Sequence, residues 1–189
     1  LYYNLHLSEV LPTAVSKPAL IELCHTLEDL VLEEDVAGTL IAGFQRARFW
    51  ASERERYAAL VADPRRRAIV FTAEDGEELP GVQRLAVGVD HPVAREWFVI
   101  ALTTEFSAVL FGRELSRSDA TDRAGRQFLT VWSCDPSVVE DLLTVLGAAL
   151  QDGVPGGPAA LAAARAAHPP RGPARGMTQR FATAFFERL

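Results

Sequence analysis

Cysteine is nearly missing from this chain. Cys24 and Cys134 are the two in 189 residues, too few and too far apart for a disulfide framework. Both read as buried thiols in a reducing compartment. Zinc-ligand spacing is missing as well. His6, His25, His91 and His168 stand singly, and the neighbours Cys24 and His25 point about 100° apart on a helix, which makes them poor co-ligands. No apolar run approaches the length that spans a bilayer. Excess basic charge is absent too: 19 Lys and Arg stand against 25 Asp and Glu, a net charge of −6. That argues against direct nucleic-acid contact and against an acidic membrane surface as the main role. The chain opens at Leu1 without a Met or a basic leader, and reads as a cytoplasmic piece trimmed from a longer protein.

Catalytic signatures are equally scarce. Acyl transfer would need Ser133 or Cys134 as nucleophile beside His91, yet no Gly-x-Ser-x-Gly elbow exists. Gly153, Gly156 and Gly157 follow a helix pattern instead of joining strand to helix, and no Gly-Lys-Ser/Thr comes after them, so they make no phosphate loop. Arg65, Arg66 and Arg67 at the start of an apolar run offer an anion site or, more plainly, a solvated loop. The expectation is a protein that is not an enzyme.

What is present is a globular composition, with 49% hydrophobic and 23% charged residues. Ser16 is an N-cap candidate with Pro18 tolerated in the first turn, ahead of Leu20, Leu23, Cys24, Leu27, Leu30 and Val31 at helical spacing. A short apolar run over 39–44 predicts a strand. Ser52 with Glu55 three residues on predicts a capping box opening a second helix, which Asp63-Pro64 stops. Residues 67–72 are apolar on both faces and predict a central strand, so strand, helix, strand implies a right-handed parallel crossover. Further strands are predicted over 83–89, 97–103, 108–115 and 128–133, the fourth and fifth of the six predicted strands forming an antiparallel hairpin across 97–115. Asp135 then caps a helix with Pro136 at its first position.

The fold class expected is α/β (α+β): a mixed, mainly antiparallel sheet of five or six strands with helices packed on it. Residues 1–15 read as a lead-in and 16–150 as the main domain. Residues 151–177, rich in Pro, Gly and Ala, read as a linker, with a short helix over 159–167 as a variant of that reading. Residues 178–189 read as an amphipathic helix with Phe181, Phe185, Phe186 and Leu189 on one side. That helix is expected to dock on a partner protomer, with its own sheet as the alternative.

One constellation stands out. Gln45, Arg46, Arg48, Phe49 and Trp50 crowd the end of the first predicted strand, and Trp97 and Trp132 sit on others. Core packing accounts for such aromatics, but so does an aromatic-lined pocket at neighbouring strand ends. We therefore take Gln45, Arg48, Phe49, Trp97 and Trp132 as candidate ligand-binding residues bordering one cavity.

The order of several short segments is familiar. Ser16-Lys17-Pro18-Ala19-Leu20, Ala42-Gly43-Phe44-Gln45-Arg46-Ala47-Arg48-Phe49, Arg95-Glu96-Trp97, Asp122-Arg123 and Val131-Trp132-Ser133-Cys134-Asp135 together resemble the DICT sensory domain over about residues 16–150. That family is named for diguanylate cyclases and two-component systems, and the pattern is also similar to the sensor half of some MerR-type regulators. The resemblance implies a cytoplasmic input module fused to an output domain outside this sequence, and brings no known ligand with it. A small-molecule ligand or chromophore, not identified, is expected in the aromatic-lined pocket, with no cofactor specified, and a homodimer is expected because closed two-fold pairs dominate homo-oligomers. The alternative is a ligand-free interaction or dimerisation module.

Overall fold

Local sequence starts the first helix as its composition predicts. The Ser16 hydroxyl accepts from the Ala19 N–H at 3.4 Å, and Pro18 sits in the first turn of α1 (Lys17–Glu33). The computed structural model describes residues 12–73, 78–115, 126–173 and 175–187. The lead-in residues 1–11, Asp122-Arg123 and Leu189 lie outside them.

Among the described residues the remaining elements are β1 (Thr13–Ser16), β2 (Gly38–Phe44), α2 (Ala47–Val61), β3 (Arg66–Thr72), β4 (Val82–Ala86), β5 (Trp97–Thr103), β6 (Ser107–Glu114), β7 (Gln127–Ser133), α3 (Pro136–Leu150), α4 (Gly157–Ala167) and α5 (Met177–Phe186). The strands form one sheet in the order β1-β7-β6-β5-β2-β3-β4. β2 and β3 are parallel, with Gly38 opposite Arg66, and β4 is parallel to β3. The other four pairings are antiparallel. The class is thus the expected α/β, with β3 and β5 interior. The extra strand comes from the end of the lead-in: β1 covers the edge that β7 would otherwise leave bare.

Helices cover both faces, which is why the inner strands read as near-continuous apolar runs. Leu40, Ala42, Val70, Val99, Ala101 and Leu110 point to α1, α2 and α5. Ile41, Ile69, Phe71, Ile100, Leu102 and Phe111 point to α3 and α4. The period-two alternation of a strand assigns each residue to its layer.

Three expectations need correction. Ser52 does not cap a helix. It lies inside α2, where its hydroxyl donates to the Phe49 carbonyl at 2.8 Å. The helix begins at Ala47 because Trp50, 2% exposed, must be buried with Phe44 and Tyr57. β4 ends at Ala86, and Val89 is 62% exposed because the chain turns at Gly88, whose carbonyl takes the His91 N–H. The stretch 151–177 is no free tether. Val154, Ala160, Leu161 and Ala164 are buried against α3 and the sheet. Arg171 then bonds Ser107 through both main-chain groups and carries the chain round the β5–β6 hairpin to the opposite face. There α5 packs on its own chain, the alternative the sequence left open: Phe181 stacks on Trp132 at 4.9 Å and Arg180 pairs with Glu34. Composition misled here because small Ala side chains bury little area each, yet allow a helix to approach closely.

No helix among the described residues is long and apolar enough to cross a membrane.

Candidate functional site

A small pocket opens on the α1 side of the sheet, where β2 ends and β5 begins. α1 contributes a single stripe, Lys17, Ile21, Cys24 and Glu28, at spacings of four, three and four. β2 contributes Ala42, Gly43 and Phe44, β5 contributes Trp97 and Val99, and α2 contributes Phe49, Ser52 and Glu53. The space measures about 50 Å³, room for roughly one or two water molecules. Exposed Ser52 lies at its rim. Gly43 is required by close approach: it pairs with Phe98, and a Cβ there would come within 2.4 Å of the Phe98 ring.

The walls are aromatic and the polar groups are few. The Trp97 indole N–H donates to the Cys24 sulfur at 3.2 Å, and the Trp97 ring meets Phe128 edge-on at 5.7 Å. The Lys17 ammonium lies 4.1 Å from the centre of the Phe49 ring and 5.8 Å from that of Trp97, although Lys17 as a whole is only 6% exposed. Burial, with Glu28 close by, holds the Cys24 thiol well above its ordinary range. It is therefore a protonated wall group and not a nucleophile. Burial likewise pushes the Cys134 thiol up to about 11.

A charged network backs the pocket and ties α1 to α2. Glu28 accepts from the Arg56 Nε at 2.5 Å and from the Tyr57 hydroxyl at 3.0 Å. Arg56 also pairs with Asp29 and donates to the His25 carbonyl at 2.8 Å. Burial pushes the Glu28 carboxyl up, and Arg56 pulls it back. The His25 ring meets Glu53 at 3.0 Å, and that bond raises the His25 pKa against the opposing effects of burial and Arg56.

A group whose pKa is raised by folding stabilises the fold fully below its unfolded value and loses that contribution as pH rises through the folded one. The α1–α2 contact is therefore expected to weaken as pH climbs from below 6.5, the ordinary value of His25, through its raised value. The loss should be about 0.5 kcal/mol for a partly exposed pair. Thermal melts across this range check it: His25→Gln should flatten the change, and a wild-type stability that rises with pH would contradict it.

The five candidate residues divide. Phe49 and Trp97 line the pocket. Arg48 is exposed beside it, its guanidinium 5.0 Å from the Phe49 ring. Gln45 sits outside the wall, donating to the Arg95 carbonyl at 2.8 Å and accepting from Arg126 at 3.2 Å. Trp132 does not border the cavity. It shares the sheet face with Trp97, since Val99, Leu110 and Trp132 stand in one row across β5, β6 and β7. Two strand spacings of about 4.8 Å part it from β5, and Phe181 of α5 covers it. Lys17, Glu28 and Glu53 were not foreseen. The signal was available in α1, where Lys17 and Glu28 fall on the same helical stripe as Ile21 and Cys24.

Other polar clusters have structural partners. Arg65 and Arg66 are held by Asp35 and Asp63, which closes the anion site that their sequence suggested. His91 shapes a turn, accepting from the Val93 N–H at 3.2 Å and donating to the Asp152 carbonyl at 3.0 Å. The Ser133 hydroxyl accepts from the Asp135 N–H.

Residues 1–115 match a family model described as DICT, a sensory domain in diguanylate cyclases and two-component systems. The match takes in the lead-in and stops near the end of β6, short of the Val131–Asp135 motif that extended the sequence resemblance to 150. No curated protein and no solved structure matches the chain.

Proposed function

This chain belongs to the DICT family of sensory domains, and from that premise we propose that it senses a small ligand in the pocket walled by Phe49, Trp97 and Cys24. The observation that carries the reading is the pocket itself: a cavity between two helices and the sheet, aromatic on most sides, with a few fixed polar groups. Occupancy would alter how α1 and α2 sit on the sheet, because Lys17, Cys24 and His25 of α1 and Phe49 and Glu53 of α2 share its wall. In this reading the protein is a cytoplasmic input module without catalysis of its own. It serves a signalling or transcription-regulating protein whose output domain lies outside the sequence, and it works as a homodimer.

Non-denaturing mass spectrometry and an absorption spectrum of the purified protein test the reading, with a thermal-shift screen of small metabolites alongside. A retained mass or a stabilising hit should vanish in Ser52→Trp, which fills the rim of the pocket. A ligand held equally by both proteins would place the site elsewhere.

A second reading, a ligand-free dimerisation module, draws on the apolar stripe of α5. Phe186 is 71% exposed and Trp132 39% exposed, and such patches mark interfaces. The absence of any bound mass or hit, together with a dimer that Phe186→Ser dissociates, would favour it.

A further inference from the structure

The closed space of about 50 Å³ takes roughly one or two waters, so a larger guest enters only where a wall moves. We propose that the first turn of α2, residues 46–49, is the lid of this pocket: it unwinds, swings the Phe49 ring out, and a guest of about one ring takes the place the ring leaves. The inference rests on the reading of this cavity as the sensory site.

Most of the wall is fixed. β2 and β5 are paired with each other inside the sheet. α1 is tied to the middle of α2 through Glu28 and Arg56. Trp97 is held by its bond to Cys24 and its edge contact with Phe128. The first turn of α2 differs. Arg46 and Arg48 are exposed and Phe49 is half-buried. Two cations rest on the Phe49 ring, the Lys17 ammonium 4.1 Å and the Arg48 guanidinium 5.0 Å from its centre, and such contacts are weak where water reaches them.

The turn itself is poorly secured. A helix start needs partners for its first N–H groups. Ser16 supplies one for α1 and Asp135 for α3. α2 has Arg46 in that position, in extended backbone and with no side-chain cap. No acid stands in its first turn, and Arg46 and Arg48 put positive charge where the helix dipole disfavours it. The N–H groups of Phe49 and Trp50 share one acceptor, the Arg46 carbonyl, at 3.0 and 3.4 Å. Firm anchors bound the turn on both sides. The Gln45 side chain is bonded to Arg95 and Arg126. Trp50, 2% exposed, packs on Phe44 and Tyr57. Unwinding is thereby confined to residues 46–49, and Phe44 and Trp97 remain as the aromatic walls of the opened site.

Fluorobenzene, a neutral one-ring probe, is titrated into the whole chain and followed by fluorine NMR, with thermal melts of each variant alongside. Wild type is expected to bind it. Arg46→Ser gives α2 the kind of cap that Ser16 gives α1. It should raise the melting temperature and weaken binding by about fivefold, the usual worth of a cap, because the population of the minor, open form sets the apparent affinity. Phe49→Ala has no ring to move. It should bind more tightly than wild type, and adding Arg46→Ser to it should change nothing. An Arg46→Ser chain that melts no higher has formed no cap, and Arg46→Asp then takes its place. Equal binding by wild type and the capped variant overturns the lid and leaves the pocket standing, provided Ser52→Trp abolishes that binding. Binding by Phe49→Ala with none by wild type also overturns the lid, the ring then being a fixed wall. No binding by any of these proteins, or binding that Ser52→Trp leaves unchanged, overturns both the lid and the pocket.

Discussion

Truncation after Leu150 is expected to abolish the cooperative unfolding transition of this protein, although it removes nothing that the family match covers. The segment removed holds Val154 and Leu161 in one core and Met177 and Phe181 in the other. Burying each of these side chains contributes roughly 1.5–3 kcal/mol. Their joint loss, on the order of 8 kcal/mol, is comparable with the whole net stability of an ordinary domain, about 5–15 kcal/mol. The truncation also bares Leu146 and Leu150 on α3 and the Trp132 face of β7. Thermal and urea melts followed by circular dichroism decide the matter. A truncated chain that melts cooperatively within a few degrees of the full one would mean that α4 and α5 only decorate a fold complete at Leu150.

Arg56→Leu is expected to cost about 3–5 kcal/mol, the range for leaving a buried charge without its partner. The Glu28 side chain is 3% exposed and meets the Arg56 guanidinium at 2.5 Å. Without that guanidinium, burial acts on the carboxyl unopposed, and its pKa rises further above the ordinary 4.5. The sign follows. The folded state now holds this proton more tightly than the unfolded chain, so stability is greatest below 4.5 and falls as pH rises through the folded value. The variant should therefore regain stability on mild acidification. Glu28→Gln added to Arg56→Leu should restore most of the loss, since a neutral amide can still accept from Tyr57. Urea melts of the single and double variants at about pH 5 and about pH 8 check both points. A loss below about 1 kcal/mol, unchanged by pH, would show the network to be a solvated surface pair.

Strand and helix positions were largely legible in the sequence, because each depends on short-range pattern. The caps at Ser16 and Asp135 and the apolar runs of β2, β3, β5 and β6 needed only local chemistry. α2 was misplaced because Ser52-x-x-Glu55 is a capping signal alone, whereas the start of that helix answers to Trp50, which is buried in the core that α1 and the sheet share. The linker reading of 151–177 failed for a related reason. Gly, Pro and Ala describe a flexible segment only where no neighbouring surface accepts them, and α3 does.

The candidate site was half legible. Phe49 and Trp97 follow from being aromatic at strand ends that β2–β5 pairing brings together. Trp132 satisfies the same sequence rule, but its strand lies two places away in the sheet.

The sequence by itself determined the fold class, the DICT resemblance and the alternation of buried side chains, because periodicity and capping act between residues a few positions apart. Only the tertiary structure decided which aromatics share a cavity, that Lys17 and Glu28 face it, and that the last two helices belong to the cores. Those outcomes depend on strand order and on which helix covers which face, and both are settled by contacts between residues far apart in the chain.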